Sequence, residues 1–188
     1  LADAPPPLEL ANLNEWTYGE PDLVVQMEEG FRIPAEGADF YPSEIIDPGL
    51  TEDRYVAAIE YKEVTESRAS GGRDTVGGLF VFHHATLGMV DPAADEEDQE
   101  AARLGGWPVH EVGRNADVFN PEAGRLMPAG ATLVFANNHM HANGADTAAH
   151  LDVGFKFHPR GYEPTLKEDR VSWALVDIDL EAMDADQQ

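Results

Sequence analysis

The sequence predicts an all-β fold, an antiparallel β-sandwich of jelly-roll type with one short acidic surface helix. Three observations lead there. Short runs rich in branched and aromatic residues recur along the chain, separated by turns rich in Gly, Pro and Asn. The stretch from Leu151 alternates: Leu151, Val153, Phe155 and Phe157 share one face, and Asp152, Gly154 and Lys156 share the other. That is the period of a strand buried on one side only. Hydrophobic residues make up 43% of the 188, enough to fill one packed core.

Taken in order, residues 1–15 read as an extended arm, because Pro5-Pro6-Pro7 favours polyproline II and excludes a regular helix. A single sandwich domain is expected over residues 16–182, followed by a frayed, solvated tail at 183–188. Asp22–Met27 is a short strand stopped by Glu28-Glu29-Gly30, and Arg54–Tyr61 a longer one. Ser67–Gly72 is a polar loop, and Gly78–Val90 is the next strand. Asp91 and Pro92 fit a helix cap and first helical position, and the acids at Asp95, Glu96 and Glu97 suit the positive end of the helix dipole. That helix ends near Leu104, before Gly105-Gly106, and is too acidic to bury much. Residues 107–130 read as turns, and strands resume at Ala131–Phe135, Leu151–Phe157 and Val171–Leu180.

Charge narrows the function classes. The chain carries 36 acidic residues against 12 Lys plus Arg, a formal net charge of −24. Nucleic acid is excluded as a partner because a phosphate backbone needs a cationic footprint. An anionic membrane surface is disfavoured for the same reason, and no apolar stretch reaches the length of a membrane span. There is no cysteine, so disulfides, thiolate metal sites, iron–sulfur clusters and covalently attached haem are out. Leu1 stands where an initiating Met would, which leads to the expectation of a processed, exported protein, periplasmic or extracellular. No nucleophile elbow, phosphate-binding loop or dinucleotide fingerprint occurs.

The chemistry-bearing residues are histidines. His83-His84 follows the apolar run Leu79–Phe82, and His139-Met140-His141 follows Thr132–Phe135. Neutral imidazole is the commonest transition-metal ligand. His139 and His141, two apart, point the same way on a strand and share parity with Leu133 and Phe135, so on a core face they look inward. His83 and His84 point to opposite faces of a regular strand, so both reach one metal only at a bulge or a strand end. With nitrogen donors alone, copper or zinc fits best. The bland alternative is four polar side chains satisfied by backbone and water. His150 and His158 fall on a polar face about 26 Å apart along a straight strand, which makes them surface residues that cannot share a metal. His110 has no assigned role at this level.

These motifs occur in an order that resembles a known family. His83-His84 ends a strand. Gly113-Arg114-Asn115-Ala116-Asp117-Val118-Phe119 follows, then Leu126-Met127-Pro128-Ala129-Gly130-Ala131-Thr132-Leu133-Val134-Phe135, then His139. The pattern, over roughly residues 16–165, is similar to the N-terminal copper domain of copper type II, ascorbate-dependent monooxygenases. Peptidylglycine α-hydroxylating monooxygenase and dopamine β-monooxygenase are the animal members, and the likeness is greater to bacterial relatives. The resemblance implies an eight- or nine-stranded antiparallel sandwich and one copper held by a His-His pair and a later His, here His83, His84 and His139. His141 has no firm counterpart and stands as a fourth or substitute ligand. The family's second domain, which supplies the oxygen-binding copper, has no counterpart expected in this chain, so independent enzymatic activity is not expected. The segment Glu66–Thr75 and the spacer Asn137-Asn138 before His139 depart from the family pattern.

Two functions follow as expectations. One is an exported domain that binds a single type 2 copper for electron transfer. The other is a non-catalytic accessory subunit that docks on the outer face of a larger membrane-bound redox complex, its arm or an edge strand joining the partner. A carbohydrate-binding sandwich using Trp16, Trp107 or Trp173 is a third.

Overall fold

The computed structural model describes residues 15–27, 30–66, 80–103 and 106–166. Most of the Pro-rich arm, the loop at Ser67–Gly72, the strand expected at Val171–Leu180 with Trp173, and the tail lie outside them. Ten strands and one helix occur among the described residues: β1 (Leu23–Gln26), β2 (Phe31–Ile33), β3 (Glu44–Ile46), β4 (Arg54–Thr65), β5 (Phe82–Val90), α1 (Glu96–Arg103), β6 (His110–Glu111), β7 (Ala116–Val118), β8 (Arg125–Met127), β9 (Thr132–Met140) and β10 (Thr147–Phe157).

The strands form two antiparallel sheets. In the larger, β10 and β4 pair at the centre; β1 and β2 flank β10, and β7 and β8 flank β4. The smaller has the order β3-β9-β5-β6. One hydrophobic cluster joins them: Ile59, Tyr61, Leu151, Val153 and Phe155 of the large sheet meet Phe82, Leu87, Leu133, Phe135 and Met140 of the small one. The alternation in β10 explains the first group, since Leu151, Val153 and Phe155 are completely buried while Asp152 remains partly open to solvent. The expected all-β sandwich is therefore the observed fold.

The elements depart from expectation in several places, and β2 and β3 are strands that the sequence pattern does not announce. β9 continues five residues past Phe135 and so carries His139 inside a strand. The region 107–130 holds β6, β7 and β8, each only two or three residues long, too short for any periodicity to show. The helix begins later than Asp91-Pro92 suggests. Asp91 spends its carboxylate on the Ala93 amide (2.8 Å) in a local turn, and Asp95 caps the helix through the Asp98 amide (2.9 Å). No helix among the described residues is long and apolar enough to cross a membrane.

No residue of α1 is buried, as its composition requires, yet the helix covers part of the small sheet's outer face. It does so because Gly88 has no side chain: a Cβ there would lie 2.1 Å from the carbonyl oxygen of Ala102. Gly88→Ala is expected to push the helix off β5 and lower the unfolding free energy by about 1–3 kcal/mol, read from urea denaturation with loss of helical dichroism.

Candidate metal centre

The register of β5 and β9 builds the site. Phe82↔Met140 and Thr86↔Ala136 belong to one register, which continues through Leu87↔Phe135 to Val90↔Thr132. Between them His84 faces His139, where regular pairing would have set it against Asn138. β5 thus carries an extra residue next to His83, and β9 carries one next to Asn137; the two offsets cancel. Asn137 has φ 51°, the positive value this bulge needs and one that Asn tolerates better than most residues.

Each bulge switches the side chains' faces. On β5, Phe82 and Ala85 are both completely buried although three residues apart, so His83 and His84 both leave the core face. On β9, Phe135, Asn138 and Met140 point inward, all completely buried. The inward orientation expected for His139 and His141 is therefore corrected. The extra residue at Asn137 breaks their parity with Leu133 and Phe135 and turns them to the outer face of the small sheet.

The entry to β5 is fixed from the opposite sheet. The Glu63 carboxylate, from β4, accepts hydrogen bonds from the amides of Val81 (2.9 Å) and Phe82 (3.0 Å). Residues just past β6 and β9 hold the backbone around the histidines: the Val112 amide donates to the His83 carbonyl (3.2 Å), and the His141 amide to that of Val81 (2.9 Å).

Three rings converge. One ring nitrogen from each of His83, His84 and His139 lies within 4.8 Å of the other two, and the group could hold a metal ion. The Nδ1 atoms of His83 and His84 are 3.2 Å apart, with their rings 71° from coplanar. Two imidazole nitrogens bound to one tetrahedral ion are about 3.3 Å apart, given bonds of about 2.0–2.1 Å. The ring of His139 has its centroid 4.8 Å from that of His83 and 5.0 Å from that of His84. His141 stands beside His83 at 6.4 Å between centroids, outside the group of three, with Nδ1 directed to the Ala142 carbonyl (3.1 Å). No carboxylate belongs to the group.

Protonation favours ligation. Desolvation pushes the pKa of His84 down, the nearby His139 adds to this, and Glu111 opposes it. A neutral ring keeps the lone pair a metal requires. Two residues that sequence reasoning missed also meet the site. Asp39 Oδ2 lies 2.8 Å from His139 Nε2, and Tyr41 stacks on the same ring, with centroids 4.7 Å apart and planes 20° apart. Nothing in the residues before β3 announces this, because the contact depends on that segment running beside β9.

The remaining histidines stand apart from the group of three. His150 and His158 were expected on the surface, but both are half-buried. His150 contacts Gln26 (2.6 Å) and Asp152 (3.4 Å), and His158 is stacked 3.8 Å from Tyr162. Trp107 is buried against Phe119 and Phe155, which removes it from any sugar cleft, and Trp16 lies over the position of Gly154 with Lys62 above its ring. Comparison with protein-family models, curated proteins and solved structures finds no match. The fold and the three rings thus define an all-β sandwich with a histidine cluster able to hold a metal ion.

His110 lies on the inner face, opposite Ala85, and neither ring nitrogen has a hydrogen-bond partner. Burial pushes its pKa down to about 4, with a smaller contribution from His84. In the unfolded chain the same ring takes a proton near pH 6.5. The unfolded state therefore binds the proton first as pH falls. The stability contributed by a neutral His110 is fully present above about 6.5 and is lost between there and about 4, amounting to about 3 kcal/mol. His110→Leu is expected to remove that part of the pH dependence, so that wild type loses more stability than the variant between pH 7 and pH 4 in urea titrations.

Proposed function

We propose that the chain is an exported domain that holds one type 2 copper ion through His83, His84 and His139 and relays electrons at that metal. The convergence of the three rings carries this reading: bulges in two strands place three imidazole nitrogens within 4.8 Å of one another on one face. The donor set fits copper. It is all nitrogen, contains no thiolate, and includes a ring whose neutral form desolvation favours. Copper there would supply a one-electron couple. The outer-face position, with His83 exposed, leaves the metal open to a redox partner. His141 is the candidate for a fourth ligand.

Titrating the purified chain with Cu(II) against a competing chelator is expected to show one ion per chain and a higher melting temperature in the loaded form. His139→Ala and His83→Ala should each weaken binding by about a hundredfold or more, and His141→Ala by less. Full retention of affinity in His83→Ala and His139→Ala would sink the proposal.

The second reading, an accessory subunit on a redox complex, is supported by β3. It is an edge strand of the small sheet, with Ile45 59% exposed and Tyr41 nearby 58% exposed. Co-purification with a membrane-bound redox complex that is lost in Ile45→Lys is the expected result. Recovery of that complex undiminished in the variant would remove this role for the edge.

A further inference from the structure

We propose that the segment Asp39–Tyr41 is a positioning device for His139, with Asp39 fixing which ring nitrogen carries the proton and Tyr41 fixing the ring plane. This rests on the metal-binding reading above. The segment runs beside β9 as an irregular extension of β3. The Phe40 amide donates to the Met140 carbonyl (3.1 Å), the Met140 amide to the Phe40 carbonyl (3.0 Å), and the Asn138 amide to the Pro42 carbonyl (3.1 Å). His139 is thus gripped by backbone bonds on both of its chain neighbours.

Alternation then sorts the side chains. Phe40 packs against the core cluster, while Asp39 and Tyr41, two residues apart, share the outer face with His139. One meets the ring at its edge and the other on its plane. A carboxylate accepts but does not donate, so the 2.8 Å contact requires the proton of His139 to be on Nε2, which leaves the lone pair on Nδ1. His83 and His84 present Nδ1 to each other. Asp39 is not itself one of the close ligand group, which contains three histidines and no carboxylate. Its place is that of an outer partner, which orients a ligating imidazole.

The test uses the full chain and two readouts. Nitrogen NMR of the metal-free protein reports the tautomer of His139, and chelator competition reports Cu(II) affinity. Wild type should show the Nε2–H form. Asp39→Ala should lose that single tautomer and bind Cu(II) about tenfold to a hundredfold more weakly, with a melting temperature close to wild type. Tyr41→Phe should keep the wild-type affinity and Tyr41→Ala should lower it, since only the second removes the stacked ring. An unchanged tautomer in Asp39→Ala overturns the proposal, whatever the affinity does, because Asp39 then acts as a ligand or a bare charge. An unchanged affinity in Asp39→Ala overturns it as well. If instead His83→Ala and His139→Ala bind Cu(II) like wild type, the copper reading fails, and the tautomer measurement still decides the role of Asp39.

Discussion

The site depends on a pair of strand irregularities that cancel. A single bulge in β5 would bring His83 and His84 to one face, but it would also reverse every side chain beyond it relative to β9. Leu87 and Met89 would then leave the core and Thr86 and Gly88 would enter it, under a helix that needs Gly88 outward. The bulge at Asn137 restores the register at Thr86↔Ala136, so the disturbance is confined to the few residues that carry the rings. Its backbone cost is the positive φ of Asn137, about 1–2 kcal/mol for a residue with a Cβ and less for Asn, whose short polar side chain suits that region. The core offsets that cost many times over, because Leu133, Phe135, Leu87 and Phe82 stay completely buried on both sides of the defect.

Such a local distortion persists only where its surroundings over-determine it. Glu63 does part of this from across the sandwich, by binding two successive amides at the entry to β5. Thr86 does part from the other end, where its hydroxyl donates to the Ala136 carbonyl at the point where regular pairing resumes. The segment before β3 supplies the third constraint along β9. Behind the rings, Asn138 and His110 occupy the inner face, their side-chain nitrogen and oxygen atoms without a hydrogen-bond partner among the described residues. They are the places where this sheet holds polarity in its core. Asn138 is there because the bulge that turns His139 outward must turn its neighbour inward, so the buried amide and the exposed ring are two results of one backbone change.

Much of this architecture was legible in the residues. The alternation of β10 states its period and its buried face outright, and the apolar runs before the two histidine pairs mark β5 and β9. The need for a bulge at His83-His84 also follows from the sequence, since adjacent residues cannot otherwise face one ion. The matching bulge was not legible. Asn137-Asn138 reads as a mere spacer until the opposing strand is known, because a register is a property of two strands and not of one. For that reason parity with Phe135 does not give the face of His139. The short strands β6, β7 and β8 escaped because two or three residues carry no period. The helix start is not legible because Asp91-Pro92 and Asp95 offer equivalent caps, and only the local turn at Ala93 shows which is used.

On the copper reading, the charge distribution gains a meaning that composition alone does not give it. A chain with 36 acidic residues has abundant oxygen ligands, the donors preferred by calcium and magnesium. Yet the close ligand group contains no carboxylate, and Asp39 is held at its edge on a histidine nitrogen instead. Separating the two kinds of donor divides the electrostatic work. The acidic surface raises the local concentration of every cation, without selecting among them. The choice falls to three imidazoles, which suit copper and zinc and bind the hard alkaline-earth ions poorly. A carboxylate placed inside the group would strengthen the attraction and blur that choice. Kept outside, it can orient the histidine while the ligand set remains purely nitrogen.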